Sequence, residues 1–497
     1  MDRESSPKRQ GAGVAEVPAT GVAAVIVLAA GEGTRMRSRK SKLLHEVCGQ
    51  SLLSWALDTA VAVRPERLVV TVGQFREQVE AHLDDIAPTA IRALQSEPRG
   101  TGHAVWCGLE ALGEVAGEVV VTYGDVPMLS GQTLADLVAA HRDEGNTVTV
   151  LTALADDPTG YGRILRDDEG AVAAIVEHRD ATAEQLSIRE INAGVYVFDA
   201  AVLRAGLEQL QPSNRQNQLY LTDVIAYARS LGRRVGAQIE SDAWQTRGVN
   251  DRVQLAALNQ EMNRRILEGW MLKGVTVIDP SSTWIDRSVS LAEDVELWPD
   301  TCLRGATTVG EGAVIGPSTR LTDVEVGSGA QIMRSEATLA VIGEGAVVGP
   351  FSYLRPGTEL GPGGKIGAFV ETKAARIGAG AKVPHLTYCG DAVIGQGSNI
   401  GAGTIFANYD GAVKNTTTVG ERSFIGSDSV LVAPVEIADD TFIAAGSVIT
   451  RPVEAGSLAV ARGVQRNIPG WVARRRTQRS GHPPESAPAG STAETQE

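Results

Sequence analysis

A chain of 497 residues is too long for one hydrophobic core, so two or three domains are expected. Its 60 acidic and 46 basic side chains leave a formal charge of -14, which argues against a nucleic-acid partner, because that affinity comes from neutralising phosphates; small anions stay open if cations are gathered locally. Cys48, Cys107, Cys302 and Cys389 form neither a CxxC pair nor a dense framework, which points away from zinc and disulfides and towards a reducing cytoplasm.

Residues 1–20 contain no apolar signal core and read as a disordered tail. The longest apolar run, 22–30, is too short to span a bilayer, so no membrane association is expected. From 21 to 247, β-rich runs such as "AAVIVLAA", "RLVVTVG" and "EVVVTYGD" alternate with helical stretches such as "LLSWALDTAVAV". That rhythm predicts a Rossmann-like α/β domain, a mostly parallel sheet covered by helices, with ligands at the carboxyl ends of its strands.

The first run leads into "LAAGEGTRMRSRKSK", residues 28–42. Its glycines permit a tight turn whose N–H groups converge on an oxyanion, but the spacing is neither the GxGxxG fingerprint nor a Walker loop. Such a turn serves equally as a plain strand-to-helix connection. Arg35 and Lys42 shift the balance towards a phosphate, which needs cations beside a backbone nest. Asp125 closes "EVVVTYGD", either as a helix cap or as a carboxylate delivered to the ligand edge. With the amide oxygen of Asn250 it makes a pair suited to magnesium. Asp156-Asp157 and Asp167-Asp168 read as turn carboxylates.

Over 248–273, Leu255, Leu258, Met262, Ile266 and Trp270 recur at helical spacing and predict one amphipathic linker helix. Over 274–470 a hexapeptide repeat takes over. Ile342, Val348, Leu354, Leu360 and Ile366 stand six apart, as do Val419, Ile425, Leu431, Ile437, Ile443 and Ile449. Three hexapeptides make one 18-residue triangular coil of a parallel β-helix. Faulty register at "TLAVIG" and "VETKAARIG" predicts loops or insertions leaving the coil. Arg355 and Lys373 are one coil apart, and Tyr409, Ser427 and Ala445 are expected to form a vertical strip for an extended ligand. His385 is either a surface residue or a base for an amine. Cys389 beside it reads as a bystander. Residues 471–497 read as a disordered tail, with the basic run "ARRRTQR" (473–479) as solvated surface.

"LAAGEGTRM" followed by Lys42 resembles the signature of sugar-nucleotide pyrophosphorylases. "QSEPRGTGHAV" (95–105), "VTYGDVPML" (121–129), "GYGRI" (160–164), "EINAGVYVF" (190–198), "YLTDVI" (220–225) and "GVNDRVQL" (248–255) continue it in order. Together with the hexapeptides and "NYDG" (408–411), residues 22–470 resemble the bacterial bifunctional N-acetylglucosamine-1-phosphate uridylyltransferase and glucosamine-1-phosphate acetyltransferase. The resemblance implies a nucleotidyltransferase domain over 21–247 and a left-handed β-helix acetyltransferase domain over 274–470. It implies a cytoplasmic homotrimer that makes UDP-N-acetylglucosamine, a cell-wall precursor.

In the first domain it places Asp125 and Asn250 on magnesium and Arg35 and Lys42 on the UTP triphosphate. Leu28, Ala29, Gly31, Tyr123 and Gly124 fall along the nucleotide, Gln95, Gly100 and Thr101 at the uracil, and Gly162, Glu177 and Asn192 at N-acetylglucosamine-1-phosphate. In the second domain it makes His385 the general base and gives Arg355, Lys373, Tyr388 and Asn399 to glucosamine-1-phosphate. Asn408 and Tyr409 fall where acceptor sugar meets acetyl-CoA, the co-substrate, and Ala402, Ser427, Ala445 and Arg462 fall along acetyl-CoA. The family has proline before the lysine where this chain has Ser41, a departure expected to loosen that loop. Two rivals are a single-function pyrophosphorylase whose β-helix serves assembly alone, and a scaffold with both sites defunct.

Overall fold

The computed structural model describes residues 21–480 apart from Ser213. The expected tail at 1–20, and 481–497 of the other, lie outside the described residues. The chain divides after Thr338 into two compact units.

The first unit is built around Ala24–Ala29, all six residues buried. Val25, Val27 and Ala29 point into one apolar cluster and Ala24, Ile26 and Leu28 into another, the alternation of a strand covered on both faces. It pairs in parallel with Arg67–Val72 on one side and Glu118–Tyr123 on the other. The sheet runs Val235–Glu240, Val148–Leu154, Glu190–Asp199, Glu118–Tyr123, Ala24–Ala29, Arg67–Val72, Ile91–Leu94, with Glu190–Asp199 antiparallel to both neighbours. From Ala24–Ala29 the chain winds outward on one side and returns on the other. That reversal opens a crevice at the carboxyl ends of Ala24–Ala29 and Glu118–Tyr123.

The predicted linker helix spans Arg252–Met271, capped by Asp251, whose side chain accepts the Val253 and Gln254 N–H groups. Leu258 and Met262 of its stripe are buried, as is Asn263. Asn263 Nδ2 donates to Thr283 O (2.7 Å) and its Oδ1 accepts the Ile285 N–H (3.0 Å), fixing the first β-helical coil to the helix. Asn259 Oδ1 accepts the Cys48 N–H (2.8 Å) on the opposite side. These bonds tie the first coils to the sheet domain, so the compact unit extends past the helix into the β-helix.

In the second unit each coil contributes to three parallel ladders. One contains Val347–Val348, Lys365–Ala368, Lys382–His385, Asn399–Ile400 and Phe424–Ile425. Another contains Tyr353–Leu354, Glu371–Ile377 and Tyr388–Ile394; the third runs through Thr358–Leu360, Thr417–Val419 and Val435–Ile437. Every aliphatic of both hexapeptide series is buried. The loops expected at "TLAVIG" and "VETKAARIG" are not found. These residues lie in continuous strands, Glu336–Ile342 and Glu371–Ile377, bent at corners where Leu339 and Ala374 take φ of 46° and 43°. The second is matched to a coil shortened to 17 residues, Glu371 pairing with Tyr388.

The C-terminal tail also needs correction, because Trp471–Ser480 is an α-helix. Its polar composition hid a one-turn pair, the Arg475 guanidinium 5.1 Å from the centre of the Trp471 ring. Arg474, Arg475 and Arg476 are exposed, in keeping with a solvated basic face.

Replacing Asn263 by Ala leaves the Ile285 N–H and Thr283 carbonyl buried without these partners. The expected cost is about 2–4 kcal/mol, measured as a fall in the denaturation midpoint of the intact protein; an unchanged midpoint would contradict the pinning role.

Candidate active sites

The crevice holds a cavity of about 280 Å³. Of the residues expected along a nucleotide, Leu28, Ala29, Gly31, Lys42, Gln95, Gly100, Thr101, Tyr123 and Asp125 line it. The Gly124 N–H donates to Leu28 O (2.9 Å), holding the two strand ends together. Lys42, almost wholly buried, pairs through Nζ with Asp125 Oδ2 across the opening. The turn folds tightly on that lysine, since a Cβ at Gly33 (φ 60°) would come within 2.8 Å of the Lys42 Cβ. Arg35 lies exposed on the Thr34–Met36 turn and is not among the lining residues.

Gly100 begins helix Thr101–Leu112 at φ 106°, where a Cβ would meet Leu219 O at 2.5 Å. Only glycine allows this approach. Gln95 Nε2 donates to Gly100 O (3.0 Å) and Thr101 Oγ1 accepts the Leu221 N–H (3.1 Å). Pro98 and Gln218 also line the cavity and were missed. Gln218 directly precedes the contact residue Leu219, just upstream of "YLTDVI", and carries no local signal of its own.

The residue before Asn250 is tied to Asp125, the Val249 N–H donating to Asp125 O (2.9 Å), although Asn250 itself is not among the residues lining the cavity. The pair offers one carboxylate and one amide. Two hard oxygen donors with room for phosphate oxygens and water form the kind of set magnesium accepts, so the residues fit the ion. Among the described residues no cluster of three or more His, Cys, Asp and Glu forms an all-protein cage.

Gly162, Glu177 and Asn192 converge as expected. A Cβ at Gly162 would lie 3.4 Å from Glu177 Oε1 and 3.5 Å from Asn192 Cβ. The Asn192 amide is oriented by Tyr196 OH (2.6 Å) and the Gly194 N–H (2.9 Å). Burial first, then the nearby Asp180 and Asp223 carboxylates, push the Glu177 carboxyl above its usual range. Burial chiefly, with Glu177 and Asp125 nearby, likewise raises Tyr123, which joins the sugar cluster to the cavity.

In the second unit Arg355 and Lys373 stand on adjacent coils, Tyr353 pairing with Glu371 and the Arg355 N–H donating to Thr372 O (2.9 Å). Arg355 Nη1 pairs with Glu371 (2.9 Å). Lys373 titrates below the usual lysine range, chiefly because Lys414 lies beside it. Tyr388 OH accepts from Asn408 Nδ2 (3.3 Å), and a Cβ at Gly390 would collide with that hydroxyl at 2.4 Å. Asp391, which accepts a second bond from Asn408, was missed.

His385 ends Lys382–His385 at a corner and is exposed. Its carbonyl accepts the Gly403 N–H (3.3 Å), Ala402 O accepts from Asp428 N (2.8 Å), and Ser427 O accepts from Gly446 N (2.8 Å). Arg462 Nη1 then reaches Ala445 O (2.9 Å). The vertical strip is therefore His385, Ala402, Ser427, Ala445 and Arg462. The expected stacking of Tyr409 beneath Ser427 is wrong. Residues 408–416 leave the coil, with Tyr409 bridged to Lys414, so Asn399 pairs with Phe424, 25 residues on. Asn399 lies on the ladder of Lys382 and Phe424, a different face from that of Arg355, Lys373 and Tyr388.

A nucleotidyl transferase family model matches residues 24–261, and the bacterial transferase hexapeptide model matches 339–374 and 416–451. The chain is 53% identical to the bifunctional protein GlmU of Pseudarthrobacter chlorophenolicus, over 91% of this chain and 93% of that one. It is 55% identical to the protein of the same name from Streptomyces avermitilis, over 91% and 95%, and 54% identical to that of Mycolicibacterium vanbaalenii, over 91% and 93%. With both halves matched and the similarity spanning nearly all of each relative, the chain belongs to the GlmU family of bifunctional enzymes, which join a uridylyltransferase to an acetyltransferase.

Proposed function

We propose that the β-helix acetylates glucosamine-1-phosphate and that the crevice then couples the product to UTP. In the first step His385 takes a proton from the sugar amine, the nitrogen attacks the acetyl carbon of acetyl-CoA, and the C–S bond breaks with release of coenzyme A. Arg355 and Lys373 hold the sugar phosphate. Crowding of Lys373 by Lys414 favours this, because an incoming dianion relieves their repulsion. Tyr388, oriented by Asn408, addresses the sugar, and acetyl-CoA lies along Ala402, Ser427, Ala445 and Arg462, with Tyr409 at the edge. Asn399 lies towards the start of the ladder whose far corner carries His385, away from Arg355, Lys373 and Tyr388, so a second copy presenting its Asn399 would complete the site. That division supports a homotrimer with acetyl-transfer sites between chains.

In the second step a phosphate oxygen of N-acetylglucosamine-1-phosphate attacks the α-phosphorus of UTP in line, and pyrophosphate leaves. The observation that carries this reading is the Lys42–Asp125 pair, its lysine buried, at the cavity of about 280 Å³ at the strand reversal. Lys42 neutralises phosphate charge, with Arg35 reaching in from its exposed turn. Leu28, Ala29, Gly31, Tyr123 and Gly124 shape the nucleotide pocket, and Gln95, Gly100 and Thr101 present the uracil edge. Gly162 leaves space for the sugar between Glu177 and Asn192. Asp125 and Asn250 hold magnesium, which when bound neutralises charge on the phosphates. The absence among described residues of any helix fit to cross a membrane, together with four free thiols, supports a cytoplasmic setting.

Thiol release from acetyl-CoA with glucosamine-1-phosphate, and pyrophosphate release from UTP with N-acetylglucosamine-1-phosphate, test the two halves separately. His385→Ala is expected to slow the first about 100-fold or more while sparing the second. Asp125→Ala should do the reverse to a similar degree; pyrophosphate without thiol release from the parent enzyme would reduce the β-helix to a scaffold.

Glu177 accepts from the sugar most strongly when ionised, and its raised pKa means that it protonates at a higher pH than an ordinary carboxyl. KM for N-acetylglucosamine-1-phosphate should therefore climb as pH falls, starting above the normal carboxylate range. The ratio to Glu177→Gln removes the titration of the substrate itself. A ratio flat across pH would exclude Glu177 from the sugar site.

A further inference from the structure

The loop that delivers Lys42 is held from outside near Met36 by Arg252, whose Nε donates to Met36 O (3.2 Å), and next to the lysine itself by Gln78. Gln78, exposed on helix Arg76–Ile86, accepts the Ser41 N–H through Oε1 (2.9 Å) and donates from Nε2 to Arg39 O (3.0 Å). The two bonds grip the backbone on either side of Lys40, immediately before the lysine that pairs with Asp125. Ser41 is itself buried and sits at φ -50° and ψ 139°. That is polyproline geometry, which a proline would impose through its ring.

We propose that Gln78 is a positioning residue of the first site: its amide holds Ser41 in the conformation that the family's proline fixes covalently, and so presents Lys42 to the triphosphate. A proline restrains the loop by removing alternative conformations. The amide clamp does it with two bonds that together favour the held state by about five- to tenfold. The loosening expected from Ser41 is thus offset by a contact from a separate helix. The inference rests on the uridylyl-transfer reading of the crevice.

The test uses the full-length enzyme and the variants Gln78→Ala, Ser41→Pro and the double variant. Gln78→Ala is expected to raise KM for UTP about five- to tenfold with a smaller change in kcat, and to leave acetyl transfer unchanged. It should also speed tryptic cleavage after Arg37 and Arg39. Ser41→Pro alone stays within about twofold of the parent, and added to Gln78→Ala it restores both KM and protease resistance. The proposal is overturned if Gln78→Ala changes neither readout, or if proline fails to rescue it. Should the parent enzyme release no pyrophosphate, the uridylyl-transfer reading falls, and the tryptic pattern alone then upholds or overturns the loop restraint.

Discussion

Parallel strand pairing is the constraint on which both halves of the chain depend. In the first half it aligns the carboxyl ends of Ala24–Ala29 and Glu118–Tyr123, so Lys42 and Asp125 can meet across one opening. In the second half it fixes which residue lies over which, one coil to the next. Each site is a readout of register. A slip of one residue in either ladder would turn inward side chains outward and dissolve the constellation.

Charge is placed economically against a net acidic background. Lys42 and Asp125 neutralise each other in the free enzyme, and the pairing spares the buried lysine the penalty that it would carry alone. On the proposed reading, a triphosphate would compete for the lysine and leave the carboxylate to hold magnesium. In the β-helix the balance is reversed. Lys373 and Lys414 repel each other at the surface, and on the proposed reading the sugar phosphate relieves that repulsion. One site therefore exchanges a partner on binding, whereas the other acquires one.

The sequence carried most of this at the level of periodicity and motif. The hexapeptide aliphatics stand where their spacing put them, whereas Gly162, Glu177 and Asn192, which lie together, were singled out by resemblance and not by any spacing. Errors arose where one spacing was assumed to be uniform. Tyr409 looked stacked on Ser427 because a constant coil length was applied across an excursion, whereas Ala402 occupies that place. Short coils at "TLAVIG" and "VETKAARIG" looked like insertions because corner residues with positive φ absorb a deleted residue without breaking the strand. Gln78 and Gln218 had no signal at all, since each acts on a segment distant in sequence. The helix at 471–480 was hidden by composition, its one aromatic pair outweighed by polar neighbours.

The central claim is that one chain holds two separate sites, the product of one being the substrate of the other. Mixing purified Asp125→Ala and His385→Ala variants with glucosamine-1-phosphate, acetyl-CoA, UTP and magnesium, and following UDP-N-acetylglucosamine by phosphorus NMR, tests it most directly. The account predicts that neither variant alone makes the sugar nucleotide and that the mixture does, by passing N-acetylglucosamine-1-phosphate from one to the other through solution. Product from either variant alone, or none from a mixture whose members each retain their remaining half-reaction, would contradict it.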